Sequence, residues 1–169
     1  DFNFDISENI YKLKKIDMTL NDIKINSQLI EIKEKKNSFF VNGKFFNDKR
    51  NFDIKKLKAF FTNSPNNIDI KKIEFSSKNN FSFNISKKFK LNNLKVESTV
   101  DLKQLIINEK NLKLNSYFPN FIDEIKLEDH KININYDKNK FNIKGKGNIL
   151  LEDKLDNLSY QICLLYTSD

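Results

Sequence analysis

A chain of 169 residues is long enough for one domain with its own core, and its length does not require two. Its 16 Phe and five Tyr give more large apolar surface than disordered chains carry, which argues against intrinsic disorder. Lysine outnumbers arginine 29 to one, beside 26 Asn and 21 Ile, the codon bias of an AT-rich genome. The net charge of +7 therefore does not by itself indicate an acidic partner.

The two ends of the chain are interpreted as those of an internal fragment. The first residue is Asp1, and residues 163–169 contain neither Lys nor Asn and resemble translated adapter sequence. We therefore expect a β-rich unit over residues 1–162, followed by a non-native tail over residues 163–169. Cys163, the only cysteine, falls in that tail, so cysteine content assigns no cellular compartment.

Alternation of apolar and polar residues, the pattern of a strand with one apolar face, is the dominant signal along the chain. Seven segments before the C-terminal third show it: Phe2-x-Phe4-x-Ile6, Ile16-x-Met18-x-Leu20, Ile23-x-Ile25, Ile30-x-Ile32, Phe81-x-Phe83-x-Ile85, Leu94-x-Val96 and Val100-x-Leu102. Successive strands lie too close in sequence for the crossover of about a dozen residues that parallel pairing needs. The pattern therefore predicts an antiparallel meander.

Three segments depart from this alternation. Asp53 is a candidate N-cap for a short helix that ends before Asn63, and the sheet resumes at Ile68. The apolar face of that helix consists of Ile54, Leu57, Phe60 and Phe61. Residues 119–125 predict a second helical turn, with proline at its first position. Residues 102–107 fit either a helix or a strand, and both remain open.

The clearest local pattern is a β-hairpin near the C-terminus. Its strands are Ile132-x-Ile134-x-Tyr136 and Phe141-x-Ile143, on either side of the polar turn Asp137-Lys138-Asn139-Lys140. Gly145 and Gly147 then predict a bulge or a sharper twist before the sheet continues at residues 149–151. The expected fold class is mainly β: an antiparallel meander forming a twisted, curled, elongated sheet, either an open groove or sandwich-like, with one or two short helices.

Residues with catalytic or metal-binding chemistry are sparse. His130 is the only histidine, so a multi-histidine metal site cannot form, and a Ser-His-Asp or Cys-His arrangement would have one candidate base. The segment Leu127-Glu128-Asp129-His130-Lys131 is interpreted as a solvated turn before a strand. Gly145-Lys146-Gly147 lacks the GxxxxGK(S/T) spacing of a phosphate-binding loop and the GxGxxG spacing of a dinucleotide-binding loop. The sequence therefore predicts no enzyme activity, no metal site and no cofactor.

Nucleic-acid binding is the alternative that the positive charge raises. The lysines are interspersed with 23 acidic residues, the single arginine is Arg50, and no RNP-like aromatic motif is present. We therefore expect no nucleic-acid partner.

The Phe-rich strands leave two interpretations open. Their apolar face forms an ordinary sandwich core, the commoner outcome for phenylalanine, or it lines an open groove for lipid acyl chains. Burial contributes about 0.8 kcal/mol per methylene, so sheltering one long acyl chain would contribute on the order of 10 kcal/mol before ordering costs. A lipid groove is therefore energetically feasible.

Five segments resemble strands of the AsmA-like and TamB-like bacterial envelope proteins. They are Ile73-Glu74-Phe75-Ser76-Ser77, Phe81-Ser82-Phe83-Asn84-Ile85-Ser86-Lys87-Lys88-Phe89, Leu91-Asn92-Asn93-Leu94-Lys95-Val96, Leu127-Glu128-Asp129-His130-Lys131-Ile132 and Ile143-Lys144-Gly145-Lys146-Gly147. The resemblance implies an elongated β-groove that shelters phospholipid or another membrane lipid during transport between membranes. It also implies a periplasmic location in the bacterial cell envelope, with a preceding segment anchored in the inner membrane.

Under that implication eight apolar residues contact acyl chains, while the lysines between them stay hydrated. These residues are Phe81, Phe83, Ile85, Ile132, Ile134, Tyr136, Phe141 and Ile143. Two alternatives remain open: a lipopolysaccharide-transport β-jellyroll, and a structural β-repeat of a surface or adhesin-like protein with a closed core. A truncated groove would also leave unpaired edge backbone, which predicts edge-to-edge self-association.

Overall fold

The computed structural model describes residues 2–5, 9–20, 23–51, 69–108, 116–121, 124–151 and 154–165. Nine strands fill most of these ranges: β1 (Phe2–Asp5), β2 (Ile10–Leu20), β3 (Ile23–Lys35), β4 (Ser38–Asn51), β5 (Asp69–Ser86), β6 (Leu91–Asn108), β7 (Glu124–Asp137), β8 (Lys140–Leu151) and β9 (Lys154–Leu165). All are paired antiparallel, in the order β1 to β9. The predicted antiparallel meander is confirmed.

The nine strands form one open layer. Each strand contacts only the strands hydrogen-bonded beside it, and β1 does not meet β9. Strands β5 and β6 have 18 residues each, which at about 3.3 Å per residue is roughly 60 Å of extended chain. Nine strands spaced about 4.8 Å apart make the sheet roughly 40 Å wide. The described strands therefore form neither a sandwich nor a closed barrel.

Period-two alternation gives this sheet one apolar and one polar face. Residues directly opposite each other in an antiparallel pair project to the same side of the sheet. One row defined by the register consists of Phe81, Val96, Tyr136 and Phe141. The side that carries this row is here called the apolar face. The opposite side, which carries Lys95 and its paired neighbour Asp137, is called the polar face.

β-Bulges keep apolar residues on one face where the alternation breaks. Strand β6 has an extra residue at Lys103 and β7 has one at Asp129, and these two side chains form an ion pair across adjacent strands. A bulge shifts the side-chain phase by one residue. Leu105 and Leu127, which lie beyond the bulges, therefore return to the face that carries Leu102. Residues 102–107, left open between helix and strand, are strand.

The predicted C-terminal hairpin is confirmed. Strands β7 and β8 are joined by the two-residue turn Lys138-Asn139, whose φ angles are 47° and 64°. Two successive positive φ angles define the type I′ turn that fits the twist of a hairpin. Strand β8 then continues through both glycines to Leu151, as predicted. The bulge expected at the glycines lies instead in β7, opposite Gly147.

The predicted helical turn over residues 119–125 is wrong for its described residues, 119–121 and 124–125. Residues 119–120 form a turn, Phe121 N–H donates to the Phe118 carbonyl at 3.0 Å, and Glu124 already begins β7. The helix predicted after Asp53 lies outside the described residues. No helix in the described ranges is long and apolar enough to cross a membrane.

At the C-terminal end, residues 163–165 continue β9 in register with β8, and the adapter origin of the tail stays a prediction.

Candidate functional site

All eight residues predicted to contact lipid lie on the apolar face. They come from β5, β7 and β8, and the register through β6 brings them into neighbouring rows. The rings of Phe81 and Phe83 stack with centroids 5.9 Å apart. Ile134 lies directly opposite Ile143. Each of the eight side chains is half-buried, because only neighbouring side chains of the same face shield it.

The apolar face extends well beyond those eight residues. The same rows include Ile30, Ile32, Phe39, Val41, Phe45, Val96, Val100, Leu102, Leu158, Tyr160, Ile162 and Leu164. Among hydrophobic side chains of the described residues, only Val41, Leu102 and Phe121 are buried. Most of this face is therefore only partly removed from water.

Each of the three glycines lies beneath an aromatic ring on this face. Gly43 lies under Phe81, Gly145 under Tyr160 and Gly147 under His130. None of the three has a positive φ, so glycine is needed here for space and not for backbone conformation. A ring that covers a glycine shields the bare backbone of the strand beneath it. The same burial raises the pKa of the Tyr160 hydroxyl.

His130 is part of this packing, and its interpretation as part of a solvated turn is wrong. It lies within β7 opposite Leu102 and is only 1% exposed. Its Nε2–H donates to the Asn148 carbonyl at 2.8 Å, and its ring centroid is 5.9 Å from that of Tyr160. No group of three or more His, Cys, Asp or Glu residues is arranged to hold a metal ion within the described ranges.

A hydrogen-bonded polar belt crosses the apolar face on strands β4 to β6. Ser77 donates to Asn47 Oδ1, Asn79 Nδ2 donates to Ser77 Oγ at 2.8 Å, and Ser98 donates to Asn79 Oδ1. Asn47, Ser77 and Asn79 are each 8% exposed. Burial of polar groups is tolerated here because the groups satisfy one another. No sequence pattern marks this belt, because small polar residues at apolar positions of the alternation look like ordinary interruptions.

A large hollow of about 1110 Å³ lies on the polar face. Its lining contains two complete rows across β4 to β7: Lys44, Asn80, Glu97, Asn135; and Phe46, Lys78, Thr99, Asn133. Of the eight predicted residues only Phe81 and Ile134 contribute to the lining. Both belong to strand positions whose side chains project from the opposite face. The eight residues therefore form an open apolar surface instead of the walls of this hollow.

Comparison with known proteins assigns no family and no function to this sheet. No protein-family model, curated protein or solved structure matches the chain. The two faces of the sheet are therefore the features that bear on function.

Proposed function

We propose that this protein is a non-enzymatic lipid-binding β-sheet whose apolar face shelters acyl chains. The observation that carries the proposal is the gathering of eight half-buried apolar side chains, from three strands, on one side of a single-layer sheet. No described strand covers that side. An apolar surface left partly in water gains free energy when another apolar surface covers it.

The shape of the apolar surface fits an elongated, flexible occupant. The polar belt interrupts the face on β4 to β6, whereas Ile132 and Ile134 on β7 and Ile143 on β8 continue it past the belt. A lipid chain following β7 and β8 would avoid desolvating the belt. Each covered methylene contributes about 0.8 kcal/mol, so a chain in this path would contribute on the order of 10 kcal/mol before ordering costs.

The resemblance to AsmA-like and TamB-like proteins extends this proposal from binding to transport. In that extension the sheet is one section of a periplasmic envelope protein that carries phospholipid between membranes and is anchored to the inner membrane. The lysines of the polar face keep the opposite side of the sheet hydrated in such a setting.

The decisive experiment is native mass spectrometry of the full chain after gentle purification, to detect bound phospholipid. Phe83→Asp and Ile134→Asp place a charge on the apolar face. Ser82→Asp and Asn135→Asp place the same charge one residue away, on the polar face, and serve as matched controls. We expect lipid adducts with the wild type and both controls, and none with the two apolar-face variants, all five proteins being folded by circular dichroism.

Two results would contradict the proposal. One is a folded wild type that carries no lipid, which would favour a structural β-domain whose apolar face is covered by a second protein layer. The other is equal loss of lipid in the controls, which would show that lipid does not distinguish the faces.

A further inference from the structure

The polar face carries a second candidate site, which the lipid proposal does not use. The hollow lined by the rows Lys44-Asn80-Glu97-Asn135 and Phe46-Lys78-Thr99-Asn133 is here called the polar hollow. A smaller hollow of about 300 Å³ adjoins it, shares Phe46, Lys78 and Thr99, and adds Asp48 and Asp101. Together they form a trough that runs across neighbouring strands.

The side chains of the polar hollow keep most of their hydrogen-bonding capacity. Within the described residues, the side chains of Lys44, Lys78, Asn80, Glu97 and Asn135 make no hydrogen bond or ion pair with the protein. A bond from Thr99 to Asn133, at 3.3 Å, is the exception in these two rows. All of these side chains except that of Phe46 are exposed.

Some charged residues elsewhere on the polar face are paired. Lys95 contacts Asp137 at 2.9 Å, and Lys126 contacts Glu128 at 3.2 Å. In the hollow, unengaged donors and acceptors from four adjacent strands line one concave surface. Concave sites with a few convergent polar groups are the usual form of a ligand site.

The hydrogen-bond donors and acceptors that line the trough indicate which class of ligand it binds. Asn80 and Asn135 each offer an amide donor and an amide acceptor, Lys44 and Lys78 offer donors, and Glu97 offers an acceptor. The three carboxylates of the trough outnumber its two lysines, which disfavours a phosphate or another anion. A hydroxyl both donates and accepts, so a polyhydroxylated ligand can engage all of these groups.

We propose that the polar hollow binds an oligosaccharide. Half-buried Phe46 and partly exposed Leu29 supply apolar surface for the C–H faces of sugar rings. Neighbouring strands are about 4.8 Å apart, close to the length of one pyranose unit. A chain lying across β4 to β7 therefore meets a new pair of polar side chains at each strand. The volume of about 1110 Å³ accommodates several rings.

The test is proton–nitrogen NMR titration of the full chain with chitotetraose, cellotetraose and maltotetraose at millimolar concentration, and with inorganic phosphate in parallel. Asn80→Ala and Asn135→Ala each remove one amide from the hollow. Asn157→Ala removes an exposed amide from the polar face of β9 and is the matched control. We expect one or more of the glycans to shift resonances of β4 to β7, with affinity reduced about fivefold in each hollow variant and unchanged in the control.

Each result of the NMR titration either supports or overturns the oligosaccharide proposal. Saturable shifts confined to the hollow in the wild type support the proposal even if one variant does not fold. Response to phosphate without response to any glycan would overturn it and assign an anion site. Absence of shifts with all three glycans, or shifts that survive in both folded hollow variants, would also overturn it. Lipid binding on the other face is read out separately, so failure of either proposal leaves the other intact.

Discussion

Substitution of Gly147 tests the packing of an aromatic ring on glycine in the apolar face. A Cβ added at Gly147 would collide with the His130 ring and would lie 2.6 Å from His130 Cα. The ring can rotate away, but the Cα belongs to the bulged backbone of β7, which is held by its register with β6. Gly147→Ala therefore requires the strand itself to move.

The expected cost follows from two opposing terms. Overpacking that displaces backbone costs about 1–3 kcal/mol. Replacing glycine by alanine also restricts the unfolded chain, which returns about 0.4–1 kcal/mol. We expect a net loss of about 1–2 kcal/mol in the free energy of unfolding. With a urea dependence of about 1–3 kcal/mol per molar, the urea midpoint should fall by roughly 0.3–2 M.

Gly145→Ala is the matched control, two residues away on the same strand. The atoms that its Cβ would meet are Cζ, Oη and Cε2 of Tyr160, the far end of a side chain on edge strand β9. That ring can swing outward, so Gly145→Ala should stay within about 0.5 kcal/mol of wild type, since the entropy gain offsets the adjustment. Urea unfolding of both variants is the assay. If Gly147→Ala matched wild type, or Gly145→Ala were the more damaging change, the packing argument would be refuted.

Three further predictions concern the belt, acid stability and the sheet edge. Asn79→Ala should lower the free energy of unfolding by about 1–3 kcal/mol, because it removes the acceptor of the Ser98 hydroxyl and one donor to Ser77 Oγ. Asn80→Ala on the opposite face should change the free energy of unfolding little, and urea titration distinguishes the two variants. The pKa of Glu128 is lowered by a hydrogen bond from Gln104 and by Lys126. The ionised Glu128 side chain therefore contributes to the free energy of unfolding above the ordinary Glu pKa, and this contribution is lost as pH falls through the lowered pKa. Glu128→Gln should therefore flatten the loss of stability in acid, measured by thermal unfolding between neutral pH and pH about 3, and an unchanged slope would contradict this. The outer edge of β9 has no paired strand in the described residues, so light scattering should show association that rises with concentration, and Leu158→Lys should reduce it; a strictly monodisperse wild type would count against edge pairing.

Period-two alternation predicted parts of seven strands and their antiparallel pairing, because a strand with one apolar face leaves a direct mark in the sequence. It predicted neither β4 nor β9. It underestimated strand length. Residues 23–25 and 30–32 looked like two strands and belong to β3 alone. The same holds for residues 94–96 and 100–102, which both belong to β6. In each case polar residues or a bulge interrupt the alternation while backbone pairing continues.

Bulges explain where interpretation of the sequence failed. A bulge places successive apolar residues three apart, as from Leu102 to Leu105, and the same spacing marks one face of a helix. Residues 102–107 were ambiguous for this reason. The segment around His130 failed for a related one: Asp129 has a φ of 51°, and the polar pair Glu128-Asp129 looks like a turn. Only the register with β6 and β8 shows that the strand continues and that His130 is buried.

Eight apolar residues chosen from the sequence share one face, but the hollow on the other face could not have been predicted. Strand pairing places Asn80 beside Lys44 and Glu97 beside Asn135, and these pairs are far apart in sequence. Alternation identifies which residues are on the polar side, yet it carries no information about curvature. Surface asparagines and lysines therefore looked like ordinary solvated positions.

The two proposed sites depend on the same register in opposite ways. Phe81 follows Asn80, and Asn135 follows Ile134, so adjacent residues serve opposite faces. A slip of one residue would exchange the faces of an entire strand and destroy both sites at once. The ion-paired bulges at Lys103 and Asp129, which add one residue to each of two adjacent strands, keep their pairing in phase. They are thus as necessary to the proposed functions as the residues that would contact a ligand.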